Sequence, residues 1–203
     1  STVLGSGRKS INGTSMASPH IAGAEALVKQ YVTNALSITD PVTQEKLVHS
    51  LLMSTAHPAK DASNGQFYSP RKQGAGLADV TGAITTGAYL SVEGNDRPKA
   101  ELGDGKSGSY SFTFRIHSIS DEELSYDLNT AALSENVITS NGKSLLEQKS
   151  TDYAGNGINI QYNGATNGKV TVPARGSAAV TVTITLSDAM KAQFNRETPN
   201  GTF

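Results

Sequence analysis

One serine near the start of the chain has the surroundings that nucleophilic chemistry requires. It is Ser15, within the run Gly13–His20, whose sequence is GTSMASPH. A glycine-led turn precedes it and an apolar run with helical spacing follows, which predicts that Ser15 lies at a helix N-terminus whose first turn tolerates Pro19. Unpaired N–H groups and the positive dipole end at such a position stabilise the oxyanion that forms when a hydroxyl adds to a carbonyl. One helix end would supply both nucleophile and oxyanion donor.

The run Gly13–His20 resembles the serine motif of the subtilisin family of peptidases. The resemblance implies that Ser15 is the nucleophile and that its backbone N–H is one arm of the oxyanion hole. It also implies that Thr14 and Met16 flank the site, with Met16 as the oxidation-sensitive neighbour. The alternative is that Ser15 merely caps a helix, the usual role of an isolated serine in this position. The number of consecutive matching positions favours the catalytic interpretation.

A serine hydroxyl needs a general base, and the base needs an acid that orients it. In the subtilisin order the acid and the base precede the serine, so the resemblance implies that the catalytic Asp and His, with the oxyanion-hole Asn, lie upstream of residue 1. His20 follows Ser15 by five residues on the same predicted helix and should point away from it. We interpret His20 as structural, and likewise His49, His57 and His117. We expect the chain to be a piece of a larger enzyme that is inactive by itself.

Composition excludes several classes of protein for this segment. The chain has 17 basic and 18 acidic residues without a basic cluster, which argues against nucleic acid binding. No apolar run has membrane-spanning length, so we expect no membrane insertion here. The absence of cysteine excludes disulfides and thiolate metal sites. No targeting segment is visible after Ser1, and we expect Ser1 to be an internal position of the parent.

No cofactor or metal is expected in this chain, and whether the parent binds calcium is open. Four aspartates lie scattered in predicted loops without the carboxylate spacing of a calcium-binding loop. They are Asp61, Asp79, Asp96 and Asp104. We interpret them as solvated loop acids.

Up to about residue 88 the apolar spacing is helical. Asp40 and Pro41 form a cap and a first helical position for a second helix. The apolar face of this helix is formed by Val42, Leu47, Val48, Leu51 and Leu52. Asn64-Gly65 and Ser69-Pro70 predict a loop. Asp79 is predicted to cap a short helix through Ile84, and the glycines at 74 and 76 predict close backbone packing.

From Tyr89 onward the apolar spacing has period two, which predicts half-buried strands. Strands are expected at 109–116, 124–128, 169–173 and 178–186. Ser187-Asp188 should cap a short helix through about Phe194. The glycine- and asparagine-rich stretch from Tyr153 to Gly168 is predicted to be a long loop. Strands at this spacing indicate an antiparallel sandwich.

The segment Ser69–Val80 resembles the one that closes the catalytic domain of Gram-positive cell-envelope proteinases, a group that includes lactocepins and streptococcal complement-cleaving peptidases. Residues 89–203 resemble their first fibronectin type III-like domain. The implied fold class is α/β over residues 1–88, the C-terminal portion of a subtilisin-like doubly wound domain, followed by an all-β fibronectin type III-like sandwich over residues 89–203. In that family the final helix leads into a further strand, so we expect the sandwich to stop one or more strands short at Phe203, with an exposed edge.

The same resemblance implies a serine endopeptidase that cleaves protein or peptide substrates outside the cell through an acyl-enzyme, secreted and attached to the cell wall. The alternative is a non-catalytic binding or spacer module of a cell-surface protein. An intracellular subtilisin-like processing enzyme is a third possibility, which the sandwich argues against.

The predicted helix at residues 15–33 is apolar nearly all round. Such a helix suits burial beneath a parallel sheet, whose strands would lie upstream. We therefore expect the upstream part of the same proteinase, or another copy of the chain, to cover it.

Overall fold

A computed structural model describes residues 2–3, 7–95, 97–103 and 107–197 of the chain. Helices dominate its first part and strands its second. The elements are β1 (Thr2–Val3), β2 (Gly7–Arg8), α1 (Thr14–Asn34), α2 (Pro41–Ser54), α3 (Pro70–Gln73), α4 (Val80–Thr85), β3 (Ala88–Val92), β4 (Ser109–Ser118), β5 (Leu124–Asp127), β6 (Leu133–Ser140), β7 (Lys143–Asp152), β8 (Ile158–Asn163), β9 (Lys169–Val172), β10 (Ser177–Leu186) and α5 (Asp188–Glu197).

Local capping explains where the shorter helices begin. Asp40 accepts a 2.8 Å hydrogen bond from the Thr43 amide, with Pro41 as the first residue of α2. Asp79 accepts one of 2.9 Å from the Gly82 amide at the start of α4. Each carboxylate satisfies an amide that the helix leaves without a partner. The caps predicted at Asp40 and Asp79 are confirmed, but Ser69-Pro70 opens the short helix α3 rather than a loop.

The helical part has its own apolar core between α1, α2 and α4. Its buried residues are Ala24, Val28 and Val32 of α1, Leu47, Val48, Leu51 and Leu52 of α2, and Ala83 of α4. Val42, expected on the buried face of α2, is 61% exposed because it precedes the part of α2 that joins the apolar core, which begins at Leu47. Along α1, Ile21, Ala22, Ala26 and Leu27 also remain exposed, since only one stripe of the helix faces α2 and α4. The other predicted core residues of these helices are buried or half-buried.

The second part is a sandwich. Its larger sheet has the antiparallel order β3-β4-β10-β8, and β5 pairs with β9 to form the smaller one. Side chains of both sheets meet in a shared core that includes Ile116 and Val180 from one sheet and Val170 and Val172 from the other. The predicted all-β sandwich is confirmed.

The long loop predicted from Tyr153 to Gly168 is also wrong in part. Within Tyr153–Gly168, residues 158–163 form β8, which pairs with β10 at the edge of the larger sheet. Ile158, Ile160 and Tyr162 alternate with polar residues there, a period-two signal that the neighbouring glycines and asparagines obscured. The final helix α5 begins at Asp188 as expected and extends to Glu197.

A hairpin of β6 and β7 forms a separate two-stranded sheet that the strand predictions lacked. Its base contacts the helical part. Asn64 donates to the carbonyl of Ser150, Ser69 to the carboxylate of Glu135, and Lys72 to the carbonyl of Glu147. Tyr89 and Ile119 of the sandwich also pack against the helical core. The larger sheet begins at Ala88, and the proposed boundary between residues 88 and 89 stays a prediction.

Candidate active site

The backbone of Gly13 sets where α1 begins and hence where Ser15 lies. Gly13 has φ 149°, a conformation that side chains rarely adopt. Its carbonyl accepts hydrogen bonds from the amides of Met16 and Ala17, at 3.0 and 3.1 Å. The helix therefore starts at Thr14, and Ser15 is its second residue.

This position leaves the Ser15 amide among those without an acceptor inside the helix. The Ser15 side chain is exposed, and the first turn of α1 carries no acidic residue to offset the positive end of the helix dipole. An accessible hydroxyl and a free N–H thus share one residue. The arrangement suits attack on a carbonyl whose developing negative charge lies close to the helix end.

Pro19 lies in the second turn of α1, not in the first turn as expected. A residue four positions after Ser15 would normally donate its amide to the Ser15 carbonyl, but proline has no N–H. The helix nevertheless continues to Asn34. The Ser15 carbonyl therefore lacks the bond that holds most helical carbonyls.

Thr14 and Met16 lie on either side of Ser15 along the chain. Thr14 is exposed, whereas Met16 is half-buried. The Met16 sulfur lies 3.8 Å from the point where a side chain on Gly13 would begin. Met16 therefore packs back over the turn that starts the helix.

Each of the four histidines has a partner other than Ser15. His20 Nδ1 lies 2.6 Å from the Met16 carbonyl, and His49 Nε2 lies 3.4 Å from the Glu25 carboxylate. His57 Nε2 lies 3.0 Å from the Asp79 carboxylate, and His117 Nε2 lies 2.8 Å from the Ser91 hydroxyl. In the part of the chain that the structure describes, none of them is hydrogen-bonded to Ser15 as a base. We did not expect the bond between His20 and Met16, although their separation of four residues places them on one face of the helix.

A cleft of about 330 Å³ lies beside α1, beyond the turn that carries Ser15. Ile21 and Glu25 form one wall, and His49 and Met53 of α2 line another. Ala75 and Gly76 line a further side of this open cleft. Ile21, which is exposed, lies six residues after Ser15 on the same helix and lines this cleft.

The predicted loop acids have local hydrogen-bonding roles where the structure describes them. The Ser63 amide holds the pKa of Asp61 below its ordinary value. The Gly82 amide and, next, the His57 ring do the same for the pKa of Asp79. These two are therefore not simply solvated, and Asp96 and Asp104 lie outside the described residues. Among the described residues, no group of three or more His, Asp or Glu side chains could hold a metal ion.

Within the described residues, none of the helices combines the length and the apolarity needed to cross a membrane.

Comparison with protein families assigns the two parts of the chain differently. Residues 1–76 match the Subtilase family, and residues 100–203 match the Fn3-like domain. Ser15 falls in the first match and the paired sheets from β4 to β10 fall in the second.

Individual relatives match across the junction. A PI-type proteinase of Lactococcus lactis subsp. cremoris is 31% identical over 213 positions, covering 95% of this chain and 10% of the relative. A PII-type proteinase of Lacticaseibacillus paracasei is 30% identical with the same coverage. A C5a peptidase of Streptococcus pyogenes serotype M1 is 30% identical over 186 positions, covering 89% of this chain and 14% of the relative. The chain thus spans about a tenth of the length of the proteinases it matches.

Proposed function

The chain belongs to the subtilase family in residues 1–76 and to the Fn3-like domain family in residues 100–203, and on this premise we propose that its parent is a serine endopeptidase. Ser15 attacks the scissile carbonyl, and its backbone N–H stabilises the oxyanion of the tetrahedral intermediate. An acyl-enzyme then forms and is hydrolysed by water. The observation that carries this proposal is the exposed hydroxyl and free amide of Ser15 in the first turn of α1.

The proton relay belongs to the parent rather than to this segment. A serine nucleophile needs a base within hydrogen-bond reach and an acid that fixes the tautomer of the base. In the described part of the chain, each of the four histidines lies against a group other than Ser15, and none of them is hydrogen-bonded to the Ser15 hydroxyl. We propose that the upstream part of the parent supplies the base, the acid and a second oxyanion donor, and that the segment alone is inactive.

The same upstream part is the proposed partner of α1. Leu27 is 56% exposed and Ile21 is 43% exposed on this helix, while the opposite stripe is buried against α2. Apolar side chains held in water on a rigid helix favour a covering surface.

We propose protein substrates and a place outside the cell, attached to the cell wall. The relatives are named proteinases, and one is named a C5a peptidase, which supports a proteinaceous substrate. The Fn3-like sandwich directly after the subtilase part is compatible with a modular surface protein.

The test is the Ser15→Ala variant of the intact parent, assayed for protein hydrolysis and for labelling by a fluorophosphonate. Loss of a triad serine costs on the order of a million-fold in rate in subtilisin, and a loss of this size is expected here. Ser18→Ala is the matched control, because Ser18 is an exposed serine one turn further along the same helix. Folding should be unaffected in both variants.

Retained hydrolysis in Ser15→Ala would identify another nucleophile. If the unmodified parent neither hydrolyses protein nor reacts with the probe, the alternative of a binding or spacer module takes precedence.

A further inference from the structure

The imidazole of His20 makes a hydrogen bond that the catalytic proposal does not use. Its Nδ1 lies 2.6 Å from the carbonyl oxygen of Met16, four residues earlier. A carbonyl oxygen only accepts, so Nδ1 carries the hydrogen and donates it. The ring is therefore fixed against the carbonyl of Met16, the residue that follows Ser15.

The position of this bond compensates for a gap in the helix. Pro19 has no amide to donate to the Ser15 carbonyl, and its ring crowds that carbonyl. The preceding turn is held at its start by the Met16 and Ala17 amides, which both donate to Gly13. The Met16 carbonyl is the next one after the gap, and the His20 ring adds a second donor there.

We propose that His20 is a positioning residue for Ser15. Its Nδ1–H holds the Met16 carbonyl, and through Met16 it keeps the first turn of α1 in place despite Pro19. The inference rests on the proposed role of Ser15 as nucleophile, but the bond itself can be tested without activity. His20 contacts no reacting atom in this scheme.

Two amide substitutions separate this role from general helix stability. In His20→Asn the side-chain NH₂ sits one bond beyond Cγ, as Nδ1 does, so it can replace the donor. In His20→Gln the NH₂ lies one bond further out, where Nε2 stands. Intrinsic helix propensity ranks glutamine above asparagine. The proposal therefore predicts a more stable first turn in His20→Asn than in His20→Gln, which is the reverse of the order that helix propensity predicts.

The experiment compares the intact parent with its His20→Ala, His20→Asn and His20→Gln variants by amide hydrogen exchange over residues 14–20. Loss of one hydrogen bond of ordinary net strength should speed exchange about fivefold in the Ala and Gln variants. The Asn variant should stay within about twofold of the unmodified protein. The rate of fluorophosphonate labelling at Ser15 should fall several-fold in the Ala and Gln variants only.

Unchanged exchange in His20→Ala, or exchange in His20→Gln as slow as in His20→Asn, would overturn the inference. Failure of the unmodified parent to react with the fluorophosphonate would instead refute the nucleophilic role of Ser15. The order of the amide exchange rates among the three His20 variants would still show whether His20 holds the first turn of α1.

Discussion

The carboxylate of Glu135 in β6 accepts a 2.7 Å hydrogen bond from the hydroxyl of Ser69, 66 residues earlier in the chain. Ser69 is 3% exposed, and the side chain of Glu135 is 9% exposed. Ser69 stands at the N-cap of α3, yet its hydroxyl makes no cap bond there. Because a buried carboxylate needs partners for its oxygens, this bond ties the β6–β7 hairpin to the helical part.

We predict a coupling free energy of about 1–2 kcal/mol between Ser69→Ala and Glu135→Ala in a double-mutant cycle measured by denaturant unfolding. The matched control is the pair Arg115 and Glu93, which are 3.0 Å apart and largely exposed. Its coupling should stay below about 1 kcal/mol. Equal couplings would mean that the buried bond contributes no more than a surface ion pair.

Gly76→Ala should be strongly destabilising. A side chain at Gly76 would begin 2.5 Å from the carbonyl carbon and oxygen of His57, and the backbone there has φ +125°. The backbone of one segment would have to shift, so we expect a loss of more than about 2 kcal/mol. Gly65→Ala is the control, since φ is +73° but nothing lies within 4 Å.

The control variant should lose only about 1–2 kcal/mol, the cost of the backbone conformation. Thermal unfolding of both variants measures the difference. A Gly76→Ala chain as stable as the Gly65→Ala chain would contradict the predicted close approach at His57.

Pro19→Ala should stabilise α1. The new amide can donate to the Ser15 carbonyl, and the crowding by the proline ring disappears, for a gain of about 1–3 kcal/mol in the free energy of unfolding. Pro41→Ala is the control, because Pro41 is the first residue of α2, where an amide has no helical acceptor. It should lower stability by about 0.4–1 kcal/mol, because the unfolded chain gains backbone freedom. A gain of similar size in both variants would argue against a missing bond at Ser15.

His117 should make stability depend on pH in the weakly acidic range. Burial and, to a lesser degree, the charge of Arg115 hold the pKa of His117 below its ordinary value of 6.5. As the pH falls below that value the unfolded chain binds the proton first, so stability is complete above it and decreases toward the pKa of the folded chain.

Thermal unfolding between about pH 7 and pH 5 measures this decrease. In His117→Phe it should be smaller, while a ring remains to stack on Tyr89 at a centroid distance near the 4.9 Å found here. The same loss of stability in the unmodified chain and in His117→Phe would mean that other groups titrate in this pH range.

Leu27→Gln should reduce self-association of the isolated chain and destabilise the parent. In the isolated chain it removes exposed apolar surface and should reduce self-association seen by sedimentation. In the parent it should lower the melting temperature if the upstream part covers α1. Val42→Gln, at an exposed position of α2, is the control and should leave the parent unchanged. An unchanged melting temperature of the parent in Leu27→Gln would mean that the upstream part does not cover this face of α1.

Local signals in the sequence were sufficient where one short segment decides the outcome. Asp40 and Asp79 cap their helices through the next three residues, and the alternation in β4 and β10 places their apolar side chains in the core. The exposure of Leu27 and Val42 depends on which other element packs against their helix. The spacing of apolar residues along one helix does not specify that element. The bond from Ser69 to Glu135 joins residues with no shared pattern.

The contacts of the β6–β7 hairpin also bear on how such modules can be exchanged between related proteins. A recombination breakpoint near residue 88 would combine the β6–β7 hairpin of one related protein with the 61–74 segment of another. Asn64 and Lys72 donate to backbone carbonyls, which another hairpin also offers, but Ser69 would lose its acceptor wherever position 135 is not an acid. Chimaeras joined upstream of Asp61 should therefore keep the bond between Ser69 and Glu135, whereas those joined at residue 88 keep it only where the new hairpin also has an acid at position 135.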